Sequence, residues 1–284
     1  MNNIKSLIKL LMFFNILLIP VVKSHTLPAL MSYNDYKNKK TPTWPYLFSL
    51  EQKNQHLYYF GANHSTDPSN KQYPELEAFW NQFLSKTDSL NCIVLIEGNL
   101  RRLATSREES IVNQGAEGGF ITFLASTYPD IIIQCPEPPQ YLIDEHLYSF
   151  FSSDTISYKN YAQQLLWEIR KHKANPHLSW EKIHQSSSLD LNVVESLHKR
   201  HFKQPFAPSN ENFFYSITNP AEEYSIINEV CRKASIFRDI HIVSSIENLI
   251  KMGKNIFIVY GGTHAIMQEP AIRKIWKNNF DAAE

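Results

Sequence analysis

Apolar and polar positions along the chain follow two periods, and the switch between them marks the elements. "YLFSLE" and "HLYYFG" flank the polar turn "QKNQ" and predict two strands of a hairpin. "YPELEAFWNQFLSK" then sets Leu76, Phe79, Trp80 and Phe83 at helical spacing, with Pro74 tolerated in the first turn. "NCIVLIEG" is a buried-strand run that ends at Glu97. Strand, helix, strand in this order is a βαβ unit. "DIIIQCPEPP" predicts a third buried strand, stopped by Pro136. From Pro220 a long helical pattern, "AEEYSIINEVCRKASIFRDIHIVSSIENLIKMG", closes on Gly253 as a C-cap. The strand "NIFIVYGG" follows, and a final helix is expected after Pro270.

These elements predict an α/β fold: a central mixed, mostly parallel sheet flanked by helices, with a largely helical insert at about 141–219. Residues 141–200 read as helical, and the serines at 186–188 mark a connecting loop within them. A polar, proline-punctuated stretch, "SYNDYKNKKTPTWP", predicts an irregular arm over 25–44, leaving 45–284 as one domain. No repeat stands out, although a strand followed by G-x-x-H occurs twice.

The first 24 residues have a different character. Lys5 and Lys9 precede the apolar run "LLMFFNILLIPVV", and Val22 and Ser24 suit cleavage before His25. The run has the length of a secretory leader, roughly 7–15 residues, and is short of the about 20 that span a bilayer. An exported protein, periplasmic or secreted, is expected, its leader meeting the membrane only transiently. Losing Lys5, Lys9 and Lys23 leaves 25 basic side chains against 28 acidic ones. The charges are scattered, so the basic stripe that nucleic-acid binding needs is missing. Cys92, Cys135 and Cys231 are too few and too far apart for a disulfide scaffold or zinc ribbon. No G-x-x-x-x-G-K-[ST], G-x-G-x-x-G or G-x-S-x-G occurs, which argues against a nucleotide loop and a serine-esterase elbow. The sequon "NHS" at Asn63 falls beside a candidate site residue and reads as accidental.

Chemistry enters with the eight glycines. Gly61, Gly98, Gly261 and Gly262 sit at the C-terminal ends of predicted core strands, where open α/β sheets bind ligands. Just past four such strands come His64, Glu97, Glu137 and His264, which a parallel sheet would bring to one edge. Two imidazoles and one or two carboxylates suit a divalent ion such as Zn, Mn or Co, with His64, Glu97 and His264 as ligands. The same groups suit metal-free work, a His or Glu acting as general base toward water. Both options stand. Arg238 lies in an apolar setting, "IFRDIHIVSSI", where a guanidinium needs a carboxylate partner, Glu117 or Glu97, or an anionic substrate group.

"FGANH", "VLIEGN", "GAEGG", "FRDIHIVSSIENLI" and "VYGGTHA", in that order, resemble the scattered motifs of the TraB/Tiki superfamily, which includes erythromycin esterase-like and ChaN-like proteins. The resemblance covers about a third of the mature chain. It implies an α/β core whose paired G-x-x-H histidines and a Glu line one cleft, here His64, His264 and Glu97, with Arg238 on the "RD" helix. It implies a hydrolase of protease or esterase type acting on a peptide or small-molecule substrate; in that reading Arg238 orients a substrate carboxylate or stabilises developing negative charge, and Glu137 is a second carboxylate. The ChaN-like members imply an alternative, a non-catalytic binder of haem or iron in the same cleft. Asn63, where a smaller residue is commoner, and the insert at 141–200 depart from the pattern and leave the substrate class open.

Overall fold

The computed structural model describes residues 28–39, 42–174 and 191–281. The leader at 1–24 and the serine run at 186–188 lie outside the described residues. The hairpin forms where the pattern puts it: β1 (Tyr46–Gln52) and β2 (Gln55–Ala62) pair antiparallel around a two-residue turn in which Lys53 takes φ 54°. With β3 (Cys92–Ile96), β4 (Ile132–Gln134) and β5 (Asn255–Gly261) they build a five-stranded sheet in the order β1-β2-β5-β3-β4. Every pairing except the hairpin is parallel, as an α/β fold requires.

Ten α-helices are described: α1 (Tyr33–Asn38), α2 (Gln72–Leu84), α3 (Arg107–Val112), α4 (Ala116–Ala125), α5 (Gln140–Tyr148), α6 (Ser153–Ala174), α7 (Leu191–His201), α8 (Glu211–Thr218), α9 (Ile226–Lys251) and α10 (Gly262–Asp281). The strand period of two divides the sheet's side chains between two layers. Leu57, Tyr59, Ile93, Leu95, Ile256 and Ile258 face α9 and α10 on one side. Tyr58, Phe60, Val94, Ile96, Phe257 and Val259 face α2 and α4 on the other. Both faces are covered, which is why β2, β3 and β5 are buried at every residue.

Four expectations need correction. The third strand is not buried: β4 has three residues, pairs only with β3, and leaves Ile132 mostly exposed at the sheet edge. The last helix starts at Gly262, with Pro270 inside it. Ala265, Ile266, Ala271 and Ile272 are all fully buried along it, and that packing offsets the roughly 3 kcal/mol an internal proline costs. α9 starts later than the pattern from Pro220 suggests, because Ser225 and Asn228 form a capping box. Its end is as expected: Gly253 at φ 71°, with Gly253 N–H donating to Ile250 O and Lys254 N–H to Leu249 O, makes a Schellman motif. The arm is partly helical. Ser32 caps α1, the Met31 N–H donates to Met267 O at 2.9 Å, and the buried Tyr33 donates to Ser235 Oγ at 2.8 Å.

The insert carries its own apolar cluster, with Tyr158, Leu165, Val194 and Phe214, and meets the body through Ile227 and Cys231 of α9. All three cysteines are free thiols, Cys92 and Cys231 buried and Cys135 half-buried.

Candidate functional site

Strand register brings the two G-x-x-H segments side by side: Gly61 lies opposite Tyr260 and Ala62 opposite Gly261. One strand over, the Glu97 N–H donates to Val259 O at 3.2 Å and continues β3 by one residue. Glu97 therefore lies between the histidines. His64 Nε2 is 3.5 Å from its Oε2, and His264 Nε2 is 3.6 Å from its Oε1. Both spacings are longer than an N–H···O hydrogen bond, so each Nε2 is free to take or give a proton. The glycine of the second motif follows from this packing. A Cβ on Gly261 would stand 2.8 Å from His64 Nε2 and 3.3 Å from Glu97 Oε2, and the Gly261 N–H donates to Glu97 Oε2 at 2.6 Å.

Behind each imidazole is a buried acid. His64 Nδ1 donates to Glu117 Oε2 at 3.1 Å, and His264 Nδ1 donates to Asp239 Oδ1 at 2.6 Å. The Glu117 and Asp239 side chains are 3% and 1% exposed. A glutamine steadies each one: Gln72 Nε2 donates to Glu117 Oε1 at 2.8 Å, and Gln268 Nε2 to Asp239 Oδ1 at 2.7 Å. Ser65 N–H also donates to Glu117, and Tyr59 O–H holds Gln268 Oε1. A carboxylate can only accept, so it fixes the proton on Nδ1 and turns Nε2 toward Glu97.

These two acids are what the sequence reading missed. In the sequence Glu117 stands only as a partner for Arg238, and Asp239 only as the second residue of "RD". Their signal was an acidic residue among apolar ones, in "GAEGGFITFLA" and "IFRDIHIVSSI".

Arg238 takes Glu137 as its counter-ion instead: Nε and Nη2 donate to Glu137 Oε2 at 3.1 and 2.8 Å, while Nη2 stands 3.8 Å from Glu97 Oε1. The Gly98 N–H donates to Glu137 Oε1 at 2.8 Å. All five candidates, His64, Glu97, Glu137, Arg238 and His264, thus belong to one connected set. Arg101 supports it from below. Its Nη2 donates to Glu97 O at 3.0 Å, and its guanidinium lies against Gly98, Gly115 and Gly118.

The hydrogen bond to Glu117, helped by the charge on Glu97, raises the His64 pKa above the usual 6.5. Burial pulls the other way at His264, but Asp239 and Glu97 outweigh it and raise that pKa too. Burial likewise works against ionised Glu97, yet His264 and His64 hold its pKa below the usual 4.5. Between pH 4.5 and 6.5 the two imidazoles and Glu97 are therefore charged together.

Two imidazoles anchored at Nδ1, with a carboxylate between them, are the donor types a divalent ion takes, and carboxylate-backed histidines are usual at metal sites. Among the described residues, however, no group of three or more His, Cys, Asp or Glu is gathered closely enough to hold a metal ion. The donors suit an ion in kind while their present spacing does not form a cage.

Two recesses open here. A cavity of about 830 Å³ borders His264, Arg238 and Glu137, and one of about 530 Å³ borders Glu97 and Trp167. Gln163 of α6 and Tyr215 of α8 line both, so the insert forms their common wall.

No family model, curated protein or solved structure matches this chain. The TraB/Tiki resemblance rests on the motifs quoted from the sequence.

Proposed function

We propose that the chain is an exported hydrolase of the TraB/Tiki type, acting on a peptide or ester bond. The observation that carries this reading is the Glu97 carboxylate flanked by two imidazole Nε2 atoms, each backed by a buried acid. His264, the less exposed of the two at 13% against 60%, takes a proton from the attacking water at Nε2, oriented by Asp239. Ionised Glu97 stabilises the imidazolium that forms. Protonated His64, open to solvent, gives its Nε2 proton to the leaving group. Arg238, neutralised by Glu137, holds Glu97 in place. His64, Glu97 and His264 are the donors that would hold Mn, Co or Zn if their spacing tightened around it, and such an ion would polarise the scissile carbonyl. The apolar leader pattern supports export.

The test is hydrolysis of a panel of ester and peptide substrates by the purified protein, comparing the parent with His64→Ala and His264→Ala. Each variant should lose about 10²–10⁴ in rate. Undiminished activity in both would sink the proposal. A chelator arm separates the two modes: loss restored by Mn²⁺ or Zn²⁺ assigns an ion to the three residues, and persistence leaves the proton work to the imidazoles alone. A second reading, a non-catalytic binder of haem or iron, draws on the cavity beside His264. A Soret band on adding haem, lost in His264→Ala, would favour it.

A further inference from the structure

The wall of the larger cavity holds a charge that the hydrolytic set does not use. Lys159 of α6 lines it, yet the residue is only 4% exposed, packed in a helix whose neighbouring Tyr158, Tyr161 and Ala162 are buried. Its Nζ donates to Asn160 Oδ1 at 2.9 Å, and among the described residues no carboxylate stands within ion-pair distance. Burying an ammonium with a single neutral partner is costly, and such a charge is normally paired. Its neighbours do not supply the pair. Asp144 accepts from Gln140, Cys231 is a buried thiol whose pKa burial pushes up to about 12, and Arg238 is itself a cation. Burial lowers the Lys159 pKa, with only Cys231 and Asp144 opposing.

Of the other lining groups that can carry a positive charge, Arg238 is matched by Glu137 and His264 by Asp239, so Lys159 is the one without a carboxylate partner in this cavity wall among the described residues. The volume, about 830 Å³, lies in the range of small-ligand sites, about 300–1,000 Å³. One unpaired ammonium balances one negative charge, which fits a carboxylate better than a doubly charged phosphate. Tyr33, Gln163 and Asn219 line the same space, and the Gln163 amide can hold a polar part of a ligand.

We propose that Lys159 is the carboxylate-binding residue of this cavity, and that the substrate is a short peptide or acyl compound ending in a free carboxylate. This rests on the hydrolytic reading of His64, Glu97 and His264, and it moves the anion-binding role expected of Arg238 onto Lys159. The insert then has a function: α6 carries the group that selects the substrate's acidic end.

The experiment uses the full chain and two matched mixtures, N-acetyl di- and tripeptides with free C-termini and the same peptides amidated. Retention is measured by mass spectrometry after rapid gel filtration, and hydrolysis is followed in the same samples. The free acids should be retained about tenfold or more over the amides, the scale of one charge-assisted hydrogen bond. Lys159→Met should erase that preference, and Lys159→Arg should keep much of it, with circular dichroism confirming the fold of both. Equal retention of acids and amides by the parent, retention of neither, or an undiminished preference in folded Lys159→Met each overturns the proposal. If Lys159→Met does not fold, Lys159→Gln takes its place in the same comparison. Preference without hydrolysis would defeat the peptide form of the hydrolase reading and spare the carboxylate site, while hydrolysis without preference would do the reverse.

Discussion

Glu97 matters because of what its charge does to two neighbours. With both imidazole pKa values raised above the usual 6.5 and that of Glu97 lowered below the usual 4.5, the set holds both histidines protonated between those limits. A neutral His264 is needed to take a proton from water, so the rate rises as pH climbs through the raised imidazole value. Asp239→Asn removes the charge at His264 Nδ1 that helps raise it. The acid limb of kcat/KM against pH should therefore move to lower pH in that variant, with a fall in the plateau rate. A limb that stays in place would take the base role from His264. The histidines and Glu97 were legible in the sequence because each follows an apolar strand. Glu117 and Asp239 were not, since nothing local shows that an acid on a helix turns inward to a histidine 53 or 25 positions away.

At the scale of elements, glycines decide how close the parts come. Gly261 sits at a strand end with only side-chain tips near its missing Cβ, whereas a Cβ on Gly119 would run into the backbone carbonyls of Ser110 and Gln114. The two alanine variants should behave differently. Gly261→Ala should keep its fold, losing about 1–2 kcal/mol by denaturant titration, while kcat/KM drops about 10²-fold because His64 and Glu97 are displaced. Gly119→Ala should lose stability by more than about 2 kcal/mol, with the α3–α4 pairing as the part that gives way. Equal stability losses in the two would contradict this division. The strands and α2 were readable from period alone, since a run such as "NCIVLIEG" has one plausible burial. "DIIIQC" predicts a buried strand and forms an edge one, because an apolar run does not state how many neighbours it has. Pro270 does not start α10, because local propensity does not include the helix's buried face.

Over the whole molecule, the chain closes a sheet whose carboxyl edge collects residues from β2, β3, β5, α4, α9 and α10, and the arm and the insert wall the space above it. The fold class followed from element order, while the insert's place over the site did not, because its helices pack on a separate apolar cluster and touch the body through α9. The central claim is that His64 and His264, 200 positions apart, answer to one carboxylate. The measurement is an NMR titration of the two imidazoles in the parent and in Glu97→Gln. Both pKa values should lie above 6.5 in the parent, and both should fall in the variant, since Glu97 raises each of them. A variant in which either histidine titrates as it does in the parent would show that the two do not share Glu97, and the site would come apart.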